Sequence, residues 1–239
     1  MVRPSAGACP AGGIGPSARD DAEESRIRLP KILYFCPVML PYVDIHTHHP
    51  TGQAIELRTA GIHPWEAGEF DAAALEAQLG RVQALGETGL DRVRGPEAEL
   101  QLRAFRAQLE LARKHRLPVV LHCVKAFEPL MRELAAVPLR AVIFHGFIGS
   151  RQQAAEALKR GYCLSYGVRS FASPRSVEAL RATPADRLFL ETDDQKTPIE
   201  EVYARAAELR EESVERLQRC TLANYERIFG EPLSDESTL

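Results

Sequence analysis

The 239-residue chain has no apolar run approaching the roughly 20 residues that a membrane span requires. The longest candidate, Ile32 to Leu40, is interrupted by Pro37. It begins late and lacks a small-residue cleavage site nearby, so a secretory signal is not expected there. An excess of positive charge is missing too. With 30 Lys and Arg against 33 Asp and Glu, the formal charge is -3, which argues against a strongly electropositive, non-specific nucleic-acid binder but not against a local basic patch. Cysteine pairs are also lacking. Cys9, Cys36, Cys123, Cys163 and Cys220 are odd in number and too scattered for a zinc ribbon or a redox pair, so free thiols in a reducing cytoplasm are expected. What remains is a composition of 45% apolar and 26% charged residues, ordinary for one globular catalytic domain.

The first 40 residues differ from the rest. A Gly/Pro/Ala/Ser-rich opening from Pro4 to Ala18 leads into a charged segment from Arg19 to Arg28, without helical periodicity. The expectation is a poorly ordered extension over 1–40 and one barrel domain over 41–239. Met39 is a candidate alternative translation start, and a strand or lid beneath the barrel is the other reading of Ile32 to Met39.

From Tyr42 onward, short β-branched runs alternate with helical patterns, as in repeated βα units around a parallel sheet. Seven strands are predicted, at 42–46, 55–62, 82–87, 118–122, 141–145, 161–166 and 187–192. The helix from Pro96 to His115 is the clearest, with Leu102, Phe105, Leu109 and Ala112 at spacings of three and four. Others are predicted at 71–80, 126–136, 150–160, 173–182, 199–212 and 213–229.

Five of these strands end in metal-capable side chains. His46 and His48 stand two residues apart, a spacing that puts both on one face of a strand. Glu87, His122, His145 and Asp193 follow at later strand ends. An open doubly wound sheet gathers ligands at one switch point, whereas a closed barrel brings five strand ends together. The expected fold is therefore a TIM-like (β/α) barrel with seven parallel strands and a ring of helices. Four imidazoles and two carboxylates exceed what one ion needs, so two divalent ions are favoured, with Glu87 between them at a metal separation of about 3.5 to 4 Å. Imidazole suits zinc, manganese, iron or nickel better than magnesium. Asp193 could hold one ion through one oxygen and accept a proton from water through the other.

These segments, in order, carry a family resemblance: Asp44-Ile45-His46-Thr47-His48, Gly61-Ile62-His63-Pro64, Gly86-Glu87-Thr88-Gly89-Leu90-Asp91, Leu121-His122-Cys123, His145-Gly146-Phe147-Ile148-Gly149 and Leu190-Glu191-Thr192-Asp193. They resemble the TatD family of metal-dependent hydrolases, over about Tyr42 to Gly230. The resemblance implies an amidohydrolase-class barrel with a two-metal site, one metal on His46, His48, Glu87 and Asp193 and the other on Glu87, His122 and His145. It also implies deoxyribonuclease-type activity, often with magnesium, and an active-site role for His63. We read His63 as an outer-shell or phosphate-contacting residue, the alternative being a capped loop histidine. Asp91 either orients a ligand or caps a turn. His49 and His115 read as surface residues, Cys123 as packing toward the helices and Asn224 as a structural hydrogen-bond donor.

The departures bear on substrate. Only about 15 residues separate His48 from His63, Val124-Lys125 stands where the family has an arginine, and Asp194 replaces a proline. A phosphodiester, with single-stranded DNA as one candidate, is the expected substrate. The alternative is an amidohydrolase or lactonase acting on a small ester or amide. A metal-stabilised binding protein is a third reading, disfavoured by the full ligand set. Arg92, Arg94, Lys125, Arg151 and Arg169 fall in loops on the metal face, with Lys125 and Arg92 expected to hold phosphate. Neither a membrane nor an obligatory protein partner is implied.

If the extension lies outside the catalytic unit, a chain beginning at Met39 keeps the far-ultraviolet spectrum and melting temperature of the full chain. A loss of several degrees would show that Ile32 to Met39 packs on the barrel.

Overall fold

The computed structural model describes residues 40–230. The expected extension therefore lies outside the described residues, apart from Leu40, whose carbonyl accepts from Gln218 Nε2.

Eight short strands form in chain order: β1 (Val43–Asp44), β2 (Ile55–Glu56), β3 (Thr59–Ala60), β4 (Ala84–Asp91), β5 (Val119–Val124), β6 (Val142–Phe144), β7 (Cys163–Tyr166) and β8 (Leu188–Leu190). β1 and β2 pair in parallel, and β3 to β8 form a six-stranded parallel sheet in sequence order. The hydrogen bonds Ile45 N to Leu190 O, Asp193 N to His46 O and His48 N to Asp193 O carry the ring from β8 back to β1. The seven expected strands are all present, with the second broken into β2 and β3. Between those two, Leu57 N bonds to Asp44 O on one side and Gln83 N bonds to Arg58 O on the other, so one segment serves both neighbours in turn.

The helices are α1 (Ala72–Glu76), α2 (Ala98–His115), α3 (Phe127–Ala135), α4 (Arg151–Lys159), α5 (Val168–Phe171), α6 (Pro174–Ala182), α7 (Ile199–Arg210) and α8 (Val214–Phe229). All but the one-turn α5 fall where periodicity places them. The 3-10 turn Pro64–Glu69 is a further addition, started by the His63 side chain, which accepts from Trp65 N. Ser150 and Gln153 form a reciprocal capping box at the start of α4. Among the described residues no helix is long and apolar enough to cross a membrane.

Two apolar layers follow from strand alternation. Val120 of β5, Ile143 of β6 and Phe189 of β8 pack inward with Val43, Ile45 and Ala84. Their neighbours Leu121, Phe144 and Leu190 pack outward beneath the helices. Tyr225 and Ile228 of α8 complete the inner cluster at the N-terminal ends of the strands, where Asn224 Nδ2 donates to Ala185 O and Leu188 O, the structural role expected for it. The opposite ends are left free for polar groups. Cys123, Cys163 and Cys220 are free thiols, and burial pushes the Cys123 thiol up to about 12, as fits a packing role.

The inner helix face is not uniformly apolar. Gln101 and Gln108 on α2 are buried beside Phe105 and Leu109. Gln108 accepts from Ile62 N at 2.8 Å and donates to Ile62 O at 3.0 Å. Gln101 accepts from Asp91 N and donates to the carbonyls of Arg94 and Pro96. Both amides therefore satisfy backbone groups of loops that lead into the polar end of the barrel.

β4 lies close against β5. Gly89 has a φ of 151°, and a Cβ there would lie 1.9 Å from the His122 carbonyl oxygen. Gly89→Ala should cost more than about 4 kcal/mol, because backbone and not a flexible side chain must give way. Ile143→Ala, an ordinary core truncation, should cost about 2 to 5 kcal/mol and still fold. Denaturant titrations of the two variants check the contrast, and a folded Gly89→Ala protein of near-native stability would refute it.

Candidate metal centre

The polar cluster stands at the C-terminal ends of the strands and is centred on Glu87. β4 changes register against β5 between Leu85 and Thr88, and this irregularity turns the Glu87 carboxylate inward. Its Oε2 lies 3.3 Å from His46 Nε2 and 3.8 Å from His48 Nε2. Its Oε1 lies 2.5 Å from His122 Nδ1 and 2.6 Å from His145 Nε2. Asp193 Oδ1 completes the first group, 3.7 Å from His46 Nε2 and 3.5 Å from His48 Nε2. All six residues expected from strand ends are thus brought together around Glu87.

The i, i+2 spacing of His46 and His48 does bring their rings together, 5.0 Å apart between centroids. Regular strand geometry does not explain the inward direction. Val43 and Ile45 already face the barrel interior, so strict alternation would send His46 outward. β1 ends at Asp44 instead, and the single bridge Thr47 to Asp193 holds the chain beside β8.

Imidazole orientation is set from behind. His145 Nδ1 faces the fully buried Glu191 Oε1 at 3.2 Å, and His122 Nε2 faces Asp91 Oδ2 at 3.3 Å. With N–H on those nitrogens, His145 Nε2 and His122 Nδ1 carry lone pairs toward Glu87 Oε1, the side on which a cation would sit. Asp91 does both things foreseen for it. Its Oδ1 accepts from Val93 N and Arg94 N and so closes the turn, while Oδ2 accepts from Trp65 Nε1 at 2.7 Å and meets His122. The partnership of Glu191 with His145 was not anticipated. The signal for it was its position two residues before Asp193, the same spacing that marks His46 and His48. Trp65 was missed because nothing in its own spacing points to the cluster.

His63 lies 3.4 Å from Glu87 Oε1 and 3.3 Å from His122 Nδ1. Because its Nδ1 accepts from Trp65 N, its neutral tautomer carries the proton on Nε2. That nitrogen is then a donor facing the cluster and not a free lone pair, which favours the outer contact over ligation. His49 and His115 are exposed, as expected, and His115 pairs with Glu76.

Without a cation, burial would raise the Glu87 carboxyl, but the charge of a protonated His145 and hydrogen bonds from His122 and His145 hold it well below the usual carboxylate range, so a bound cation takes the place of those protons. Asp193 moves the other way. Burial raises it, helped by the charges of Glu191 and Asp194 against those of His145 and His46, which suits a group that accepts a proton. Asp44, behind the cluster, is pushed up to about 7 by burial while accepting from Thr192 N and Oγ1.

The donor set fits divalent cations. His46 Nε2 is buried without a hydrogen-bond partner, aimed at two carboxylates, and three overlapping triads, His46–His145–Asp193, His46–His48–Glu87 and His63–Glu87–His122, each offer three ligand atoms within 4.8 Å of one another. The floor opens into a cleft of about 800 Å3, whose lining carries the carboxylates of Glu66, Glu87, Asp91, Asp193 and Asp194 against the guanidiniums of Arg94 and Arg169. Five negative groups against two positive ones repel an anionic substrate unless cations are bound. Of the five cations expected on the metal face, only Arg94 and Arg169 line this cleft, and not the two expected to hold phosphate. Lys125 borders an adjacent cavity with Phe127 and Arg175, and Arg92 lies outside the lining. Asp194, in the place of the family's proline, accepts from Arg169 at 2.5 Å.

A parallel (β/α) ring with paired imidazole and carboxylate groups at its C-terminal end defines a metal-dependent hydrolase of the amidohydrolase type. The family described as TatD related DNase matches residues 55–230, and the chain belongs to that family. The match begins beyond the His46 and His48 motif, not at Tyr42. The chain is 35% identical over 202 residues to the 3'-5' ssDNA/RNA exonuclease TatD of Erwinia amylovora, covering 72% of this chain and 77% of that protein. It is 32% identical to the uncharacterized metal-dependent hydrolase YjjV of Escherichia coli K12, over 66% and 68% of the two chains. The crystal structure of that YjjV protein superposes with a TM-score of 0.66 at 28% identity, covering 76% of this chain and 79% of the other. A TatD family hydrolase from Entamoeba histolytica, 20% identical with a TM-score of 0.63 over 74% and 75% of the two chains, shares the fold.

Replacing Glu87 by alanine should release metal from both halves of the cluster, because each half uses one of its oxygens. Elemental analysis of protein purified without chelator should fall from about two ions per chain to near none. Retention of both ions would remove Glu87 from the shared position.

Proposed function

We propose that the chain hydrolyses phosphodiester bonds in single-stranded nucleic acid, with two divalent ions held by His46, His48, Glu87 and Asp193 and by Glu87, His122 and His145. The observation that carries this reading is the division of the Glu87 carboxylate, one oxygen toward each imidazole group, at the floor of an open cleft. The names of the relatives, a single-strand exonuclease among them, support the choice of substrate. Zinc or manganese suits the imidazole-rich set best, with magnesium as the further candidate.

Such ions, when bound, supply Lewis acidity to the phosphoryl centre and acidify water at neutral pH. The protein groups supply the rest. Asp193 accepts the proton of the attacking water through the carboxylate that burial has made more basic. Its Oδ2 stands 3.7 Å from Arg169, so that guanidinium is placed to hold a phosphate oxygen beside the proton acceptor. His63 Nε2–H faces the same space from the other side and donates to the substrate. Glu191 and Asp91 keep His145 and His122 in fixed tautomers.

Asp193→Asn should abolish turnover while the protein stays folded, since an amide cannot accept the proton. Arg169→Ala should lower kcat/KM for a short single-stranded oligonucleotide by about 1 to 3 kcal/mol equivalent, and rising salt should weaken binding with a shallow slope. Steady-state assays with the metal-loaded protein test this. Faster turnover of a neutral lactone or ester than of any phosphodiester, with Arg169→Ala without effect, would replace this reading by that of a small-molecule hydrolase.

A further inference from the structure

Trp65 is the single tryptophan of the chain, and it is 44% exposed although tryptophan ordinarily buries most of its surface. The ring is nevertheless fixed. Its Nε1–H donates to Asp91 Oδ2 at 2.7 Å, and His63 meets it edge-on with centroids 4.6 Å apart. It lies 6.1 Å from the His122 ring, and the Arg94 guanidinium lies over one face of it, its carbon 5.0 Å from the centroid. Val93, beside it, is 59% exposed. An apolar, pre-ordered surface thus borders the metal cluster, with one cation beside it.

We propose that Trp65 is a nucleobase platform: the base attached to the phosphate at the metal cluster stacks on its indole in place of Arg94, which moves outward to stack on that base or hold the next phosphate. This inference rests on the phosphodiesterase reading and adds a subsite to it. Every base has a π-face, so such a platform tolerates sequence. Bases paired and stacked within a duplex cannot reach it, so it selects single strands and frayed ends. Because the ring is held by Asp91 before substrate arrives, little ordering is lost on binding.

The same hydrogen bond offers a rival account, in which Trp65 merely steadies Asp91 and through it His122. Two variants separate them. Trp65→Phe keeps a stacking face and loses the Nε1–H donor, whereas Trp65→Ala loses both. With full-length protein and a thymidine tetranucleotide, Trp65→Ala should raise KM roughly tenfold and Trp65→Phe should restore most of it. With a tetranucleotide of abasic sugar phosphates, all three proteins should share one KM. Independently of turnover, the fluorescence of Trp65 in an Asp193→Asn background should be quenched by the thymidine oligonucleotide and not by the abasic one. The platform is refuted if Trp65→Phe is as impaired as Trp65→Ala, or if the unaltered protein binds both oligonucleotides alike. Cleavage of neither oligonucleotide refutes the phosphodiesterase reading and the platform with it, an outcome distinct from base-insensitive cleavage.

Discussion

The arrangement of this protein's polar end depends on one carboxylate shared between two groups of imidazoles. A buried Glu87 with no partners would be costly, and four histidines aimed at one another would be costly as well. Placed together, they satisfy one another in part and leave His46 Nε2 open to a cation. The register change in β4 that turns Glu87 inward, the close backbone approach that requires Gly89 opposite β5, and the carboxylates Asp91 and Glu191 behind the rings all serve that placement. The barrel interior below is filled by ordinary apolar side chains, so the chemistry is confined to the layer where the strands end.

Much of this was legible in the chain. Apolar runs bounded by Gly, Pro and charged residues gave strands and helices because each element buries one face, and burial dictates period. The six cluster residues were legible because a closed parallel ring collects strand ends. What escaped the sequence were residues whose role depends on a neighbour far away in the chain. Gln101 and Gln108 look like breaks in an apolar stripe, and only the loops they bind explain them. Trp65 is tied to Asp91, 26 positions later, and Glu191 to His145, 46 positions earlier. The identity of the cleft-lining cations was misread for a similar reason. Loops after strands share a face of the barrel, but the direction of a long side chain within a loop is set by local turns, as with Lys125 at a φ of 49°.

The split of the second strand shows where regular structure gives way. Periodicity proposes one strand over 55–62, yet the chain pairs with β1 through Ile55 and Glu56 and with β4 through Thr59 and Ala60. A ring of seven strands must bend sharply at each corner, and here the bend falls between the two pairings.

The loop between β1 and β2 is organised around a different carboxylate. The same connection carries His46 and His48, but beyond them Glu56 accepts from Thr51 N, Thr51 Oγ1 and Gly52 N, and no residue of the cluster takes part in that turn. The turn after β4 has the opposite construction, since Asp91 closes it and also meets His122. Loop lengths around this barrel are therefore unequally free to drift. Only the part of the first connection beyond His48 can gain or lose residues, or accept a grafted segment, with its own carboxylate to re-form the turn. Any change of length after β4 moves an imidazole, so diversification of this scaffold has one permissive rim and one that is locked to the chemistry.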